Sequence, residues 1–156
     1  MNVAAAQVLS AARARGWRIA TAESCTGGLV GGALTAVAGS SDVVEGGLIT
    51  YSNAAKQTLL GVKAATLSAY GAVSEQVARE MAQGARAALG VDLAVSITGI
   101  AGPGGSEHKP EGRVCFGLAS AQAVQTETCD FGALGRDRVR AASVAHALRL
   151  LYGALA

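Results

Sequence analysis

Histidine is nearly missing from this sequence: His108 and His146 are the only two among 156 residues. A histidine-rich metal centre is therefore excluded, and a Ser-His-Asp arrangement lacks its usual base. Cysteine is scarce too. Cys25, Cys115 and Cys129 are odd in number and far apart, so neither a disulfide framework nor a metal site is expected. Charge of one sign is also lacking: 13 basic and 11 acidic side chains leave a net +2, spread over both halves. Aromatic residues make up 4%. With no basic stripe and few rings to stack on bases, nucleic acid is not an expected partner. Apolar runs are broken by Gly, Ser or charge well short of the roughly 20 residues a membrane span needs. Arg13 and Arg15 follow the apolar start rather than precede it, the reverse of a secretory leader. A cytosolic protein with no membrane partner is expected.

Apolar side chains and glycine are what the sequence does hold. Hydrophobic residues reach 51%, and there are 21 glycines against two prolines. This is too apolar for disorder and too rich in glycine for a plain helix bundle. The length suits one domain, 1–156, able to bury about two-thirds of its unfolded surface without metal or disulfide.

Periodicity gives the outline. Residues 3–15 read as a helix with Ala5, Val8, Leu9 and Ala12 on one side and Gly16 behind it. Residues 17–22 are β-compatible, and an apolar helical stretch follows Gly28 to about Val37. Residues 43–51 read as a strand, and Ser52-Asn53 caps a short helix carrying Lys56 and ending before Gly61. A further short helix is placed at 64–70, and a clear one at 74–89 closed by Gly90. Residues 91–98 are dense in β-branched side chains, as a buried strand is. The 99–112 segment is a loop with five glycines and both prolines. Residues 113–120 and 124–131 form a hairpin, and 137–152 a last helix. Early alternation of helix and strand with a late hairpin predicts an α/β protein, a three-layer α/β/α sandwich on a mixed, mainly parallel sheet.

Three loops follow predicted strands and should converge, because open α/β sheets bind ligands beyond the carboxyl ends of their strands. Ser24-Cys25-Thr26-Gly27-Gly28 puts a serine at a strand-to-helix turn, with helix amides behind it for an oxyanion or phosphate. Helix capping is the commoner use of such residues. Tyr51 and Lys56 flank a second strand-to-helix corner. A lysine desolvated there has a lowered pKa and serves as a base, although most lysines are solvated surface groups. Thr98 to Ser106 offers backbone amides for a phosphate or carbonyl, and a plain surface loop is an equal reading. It has neither P-loop nor dinucleotide-fold spacing. Glu23 is read as orienting Lys56 or as an exposed charge. Cys25 is a second candidate nucleophile, with no histidine placed to support it. Arg136, Arg138 and Arg140 open the last helix against the dipole preference for acids, which suggests an anionic partner.

Taken together, TAESCTGG at 21–28, TYSNAAK at 50–56, GAVSEQVAREMAQGA at 71–85 and SITGIAGPGGSEHKPEGRV at 96–114 resemble the CinA C-terminal domain family. The likeness runs from about residue 3 to 152. It implies hydrolysis of nicotinamide mononucleotide to nicotinic acid mononucleotide and ammonia, without metal or other cofactor. It implies Ser24 as nucleophile, Lys56 as general base and Tyr51 as a supporting hydroxyl. Around the substrate it places Thr26, Gly27, Gly28, the loop residues Thr98, Gly99, Gly102, Gly104 and Ser106, and Arg136 and Arg140. A homodimer or higher homo-oligomer is implied as well. The sequence departs from the family at Glu111 and Arg113, where Val and Thr are common, and at Gly135, where the family has Asp. The alternatives are a nucleotide-binding competence or damage-response module without turnover, and an amidase for another small carboxamide.

Overall fold

Serine opens and glycine closes two of the helices that position the site. In the computed structural model, which describes residues 2–106 and 108–156, α1 (Ala5–Arg15), α3 (Asn53–Leu60) and α5 (Glu75–Leu89) end at Gly16, Gly61 and Gly90. These three adopt φ near 60–70°, which side chains disfavour. Ser52 accepts from the Ala55 amide and Ser74 from the Val77 amide, capping α3 and α5. The other helices are α2 (Leu29–Thr35), α4 (Ala64–Tyr70) and α6 (Arg136–Leu155). A 3₁₀ turn at Ser40–Asp42 precedes β2; its Ser-Asp run carries no periodic signal in the sequence.

Five strands form one sheet in the order β2-β1-β3-β4-β5. They are β1 (Ile19–Glu23), β2 (Val44–Ile49), β3 (Leu93–Gly99), β4 (Arg113–Ala119) and β5 (Val124–Asp130). β1 pairs in parallel with β2 and β3, whereas β4 runs antiparallel to β3 and β5. Only β4 is therefore reversed, and the mixed, mainly parallel sheet expected from sequence is what forms. Beyond Ile49, Thr50 and Tyr51 leave the predicted strand, turned out by the capped start of α3.

The two faces of the sheet carry different side chains. Ile19, Leu93, Val95, Ile97 and Phe116 pack with Val8, Leu9, Leu34, Leu148 and Leu151 of α1, α2 and α6. The other face is nearly bare: Ala20, Ala22 and Ala94 meet Val77, Met81 and Ala85 of α5. Small residues let α5 lie close enough for Ser96 Oγ to donate to the Ala78 carbonyl at 2.6 Å. The layer behind α5 is equally tight. A Cβ at Gly84 would stand 2.0 Å from the Leu60 carbonyl oxygen at the end of α3. Gly84→Ala is thus expected to destabilise by about 1–3 kcal/mol through overpacking, outweighing the roughly 1 kcal/mol that Ala gains in helix propensity. A urea midpoint at or above that of the parent would refute this.

Because β2 and β3 flank β1 on opposite sides, the chain leaves β1 in one direction and returns on the other. A crevice opens at the carboxyl ends of β1 and β3, where such a reversal places ligand sites.

Candidate active site

Ser24 is the first residue after β1, and its amide donates to the Ile97 carbonyl of β3, fixing the turn against the neighbouring strand. Lys56, one turn into α3, reaches under it. Lys56 is 1% exposed, and its Nζ lies 2.9 Å from Ser24 Oγ while donating to the Thr50 carbonyl at 3.0 Å. Among the described residues, no carboxylate pairs with this amine. Burial disfavours its charged form and holds its pKa below the ordinary lysine range. Ser24 thus faces an amine biased toward a free lone pair, the pairing a serine needs in place of histidine.

Cys25, the rival nucleophile, is also buried beside the cleft. Burial pushes its thiol up to about 11, with Lys56 and Arg140 opposing that only weakly. It is therefore a neutral thiol at ordinary pH, while nucleophilic chemistry requires the thiolate.

Glu23 neither orients Lys56 nor faces solvent, which corrects both readings taken from sequence. It is 1% exposed and turned to the opposite side of β1. Its Oε1 accepts from Thr26 Oγ1 and from the Gly28 and Val30 amides, and its Oε2 from the Gly31 amide. The carboxylate caps α2 from the preceding strand, holding the whole 23–31 turn. An acid just before a glycine pair that opens a helix was the available signal.

A cleft of about 340 Å³ lies over Ser24 and Lys56. Tyr51, Thr98, Gly99, Gly102, Gly104, Ser106 and Arg136 all line it, so the convergence expected of the three loops occurs. Thr98 turns its hydroxyl to the Ala72 carbonyl, leaving its backbone to the cleft. Gly99 is a packing glycine: a Cβ there would stand 2.7 Å from Val114. Tyr51 is 62% exposed, and its hydroxyl accepts from Arg136 at 2.7 Å, leaving its own proton to donate. Arg136 also donates to the Gly102 carbonyl and so ties the glycine loop to Tyr51 across the mouth.

Thr26, Gly27, Gly28 and Arg140 do not line the cleft but stand behind it. The Thr26 hydroxyl and Gly28 amide are spent on Glu23, and the Gly27 amide on the Ser24 carbonyl. Arg140 donates to the Cys25 and Thr26 carbonyls. Its positive charge at the start of α6 is met by these carbonyl oxygens. Among the described residues, the amides of Cys25 and Thr26 meet no backbone acceptor, and that of Cys25 turns to its own thiol.

The two departures near the loop also find partners. Arg113 pairs with Asp130, its register partner across the hairpin. Glu111 Oε1 accepts from the Gly104 amide at 2.7 Å and Oε2 from the Gly135 amide at 3.2 Å, joining the glycine loop to the start of α6.

Away from the cleft, β5 and α6 bring Glu127, Cys129 and His146 within 4.8 Å of one another, a grouping that spacing alone did not show. Arg149 donates to His146 Nδ1 at 2.6 Å, which leaves the proton on Nε2 to be donated to Glu127. The histidine is satisfied in this tautomer as a hydrogen-bonded link between helix and sheet.

The fold and cleft define an α/β/α domain with a lysine-paired serine at the carboxyl edge of its sheet. A family model described as "CinA C-terminal domain" matches residues 1–155, and the chain belongs to that family. It is 50% identical over 149 residues to the nicotinamide-nucleotide amidohydrolase PncC of Escherichia coli K12, covering 94% of this chain and 89% of that one. Over 114 residues it is 57% identical to the enzyme of the same name from Enterobacter agglomerans, covering 72% and 70%. The crystal structure of a competence or damage-inducible protein from Enterobacter asburiae superposes with a TM-score of 0.94 at 35% identity, over 97% of this chain and 96% of that one.

Proposed function

We propose that this chain is a nicotinamide-nucleotide amidohydrolase that converts nicotinamide mononucleotide to nicotinic acid mononucleotide and ammonia in pyridine-nucleotide salvage. The observation that carries the reading is the Lys56 amine, buried with no counter-ion among the described residues and 2.9 Å from Ser24 Oγ. The names of the relatives supply the substrate.

Neutral Lys56 takes the proton of Ser24 as its Oγ attacks the carboxamide carbon. The Cys25 and Thr26 amides stand next to the nucleophile for the developing oxyanion, each such donor being worth about 3–4 kcal/mol where measured. The lysine then gives its proton to the departing nitrogen, and ammonia leaves an acyl-serine. Water, deprotonated by the same amine, releases the carboxylate and restores Ser24. The Tyr51 hydroxyl donates toward the substrate from the mouth, its orientation fixed by Arg136. The three cysteines are free thiols, in keeping with a reducing cytosol. Among the described residues no helix is long and apolar enough to cross a membrane.

The test is ammonia release from nicotinamide mononucleotide by EDTA-treated protein. Wild type is expected to turn over and Ser24→Ala to bind without release. Release undiminished in Ser24→Ala would end the covalent route. The pH profile is a second check. Since the base must be uncharged, kcat/KM should rise with pH along a limb for one proton. Burial lowers the Lys56 pKa, so that limb should level off below the ordinary lysine range. A rate that falls as pH rises through neutrality would contradict this assignment.

A further inference from the structure

The glycine loop meets the mouth of the cleft with an acid already in place. Glu111 Oε1 holds the Gly104 amide at 2.7 Å, and Oε2 holds the amide of Gly135, the residue before α6. The contact is close: a Cβ at Gly102 would stand 2.5 Å from the Glu111 carboxyl carbon. The donors that a substrate phosphate would use here are backbone amides of this loop, the amino end of α6, and Arg136. Glu111 has taken an amide from each of the first two. It also sits beside the third, bonded to the residue preceding Arg136. Lys109, the other cation of the segment, is directed away from the cleft, its ammonium held by the Tyr70 and Val73 carbonyls. Among the described residues, Arg136 in the cleft lining and Glu111, bonded to the loop, place opposite charges at this end of the cleft.

That balance bears on which nicotinamide compound is taken. The mononucleotide carries a cationic ring and a phosphate of up to two negative charges. The riboside carries the same ring and carboxamide without the phosphate, and is a net cation. A carboxylate at the loop opposes the first and attracts the second.

We propose that Glu111 determines substrate charge preference in this cleft, holding down affinity for the phosphorylated nucleotide so that phosphate-free nicotinamide riboside competes with it. The proposal rests on the amidohydrolase reading for its turnover test but not for its binding test.

The experiment measures kcat/KM for both compounds on wild type, Glu111→Val and Glu111→Gln. Glutamine keeps the size and one acceptor while removing the charge, so it guards against a loop that loosens in the valine variant. Wild type should show values for the two compounds within about tenfold of each other, a difference of about 1.4 kcal/mol. Both variants should raise the nucleotide-to-riboside ratio by about tenfold, with the change carried by KM for the nucleotide. An unchanged ratio in both variants overturns the proposal. So does a parallel loss on both compounds restored by glutamine, which would make Glu111 a loop tether alone. If wild type releases ammonia from neither compound, the amidohydrolase reading fails. Calorimetric affinities of the two compounds for the same three proteins then decide the charge preference by the same ratio.

Discussion

Lys56→Met is expected to lower kcat for ammonia release by about a thousandfold or more, in the upper range for loss of a general base. Methionine nearly matches the length and shape of the lysine stem, so the space beneath Ser24 stays filled. What disappears is the amine 2.9 Å from Oγ. Folding should survive, because two effects oppose each other. The variant no longer buries an amine, but it leaves the Thr50 carbonyl without its donor, at a cost of about 1–3 kcal/mol. Lys56→Arg should be as inactive for a different reason: a guanidinium stays protonated and cannot accept from serine. Stopped assays on nicotinamide mononucleotide, with melting curves beside them, separate lost chemistry from lost fold. A methionine variant retaining more than about a tenth of wild-type kcat would remove Lys56 from the base role.

Much of this site was legible in the sequence, and the reasons are local. Ser24 and Lys56 each sit where a strand turns into a helix, and capping serines and terminal glycines mark those corners. Once the strands are parallel neighbours, the corners share one edge of the sheet. The boundaries of α3, the ends of α5 and the β4–β5 hairpin were readable for the same reason. What could not be read depends on which face a side chain takes. Glu23 and Ser24 are consecutive, so in an extended strand they point to opposite sides. That single alternation separates the carboxylate from Lys56 and sends it to α2. Likewise Glu111 and Gly135 lie 24 residues apart, and only the return of α6 over the loop makes them partners. Glu127, Cys129 and His146 converge because residues two apart on β5 share the face that α6 covers.

The cap on α2 leads to the largest expected loss of stability. α2 is a poor helix on its own, with seven residues that include Gly31 and Gly32. Its first amides find their acceptor in Glu23, whose two oxygens receive four hydrogen bonds from Thr26, Gly28, Val30 and Gly31. Gly31 fits this arrangement closely, since a Cβ there would stand 3.4 Å from Glu23 Oε2. Glu23→Gln keeps the volume but turns one oxygen into a donor. If the amide nitrogen takes the Oε2 place, it meets the Gly31 N–H; if it takes the Oε1 place, it meets three donors. Neither orientation satisfies the turn. The expected cost is about 3–5 kcal/mol, in the range for breaking a buried charged network. At a few degrees per kcal/mol for a chain of this size, the melting temperature should fall by about 10 °C. Attraction between a carboxylate and the helix dipole, worth about 0.3–1 kcal/mol, is too small to account for such a drop. A glutamine variant melting within about 2 °C of wild type would mean that the hydrogen bonds are not what holds the turn. Activity should fall as well, because Ser24 is the next residue and the amides of Cys25 and Thr26 lie inside the turn that Glu23 closes. Thr26→Val removes only one of the four bonds, and should lose about 1 kcal/mol by the same measurement.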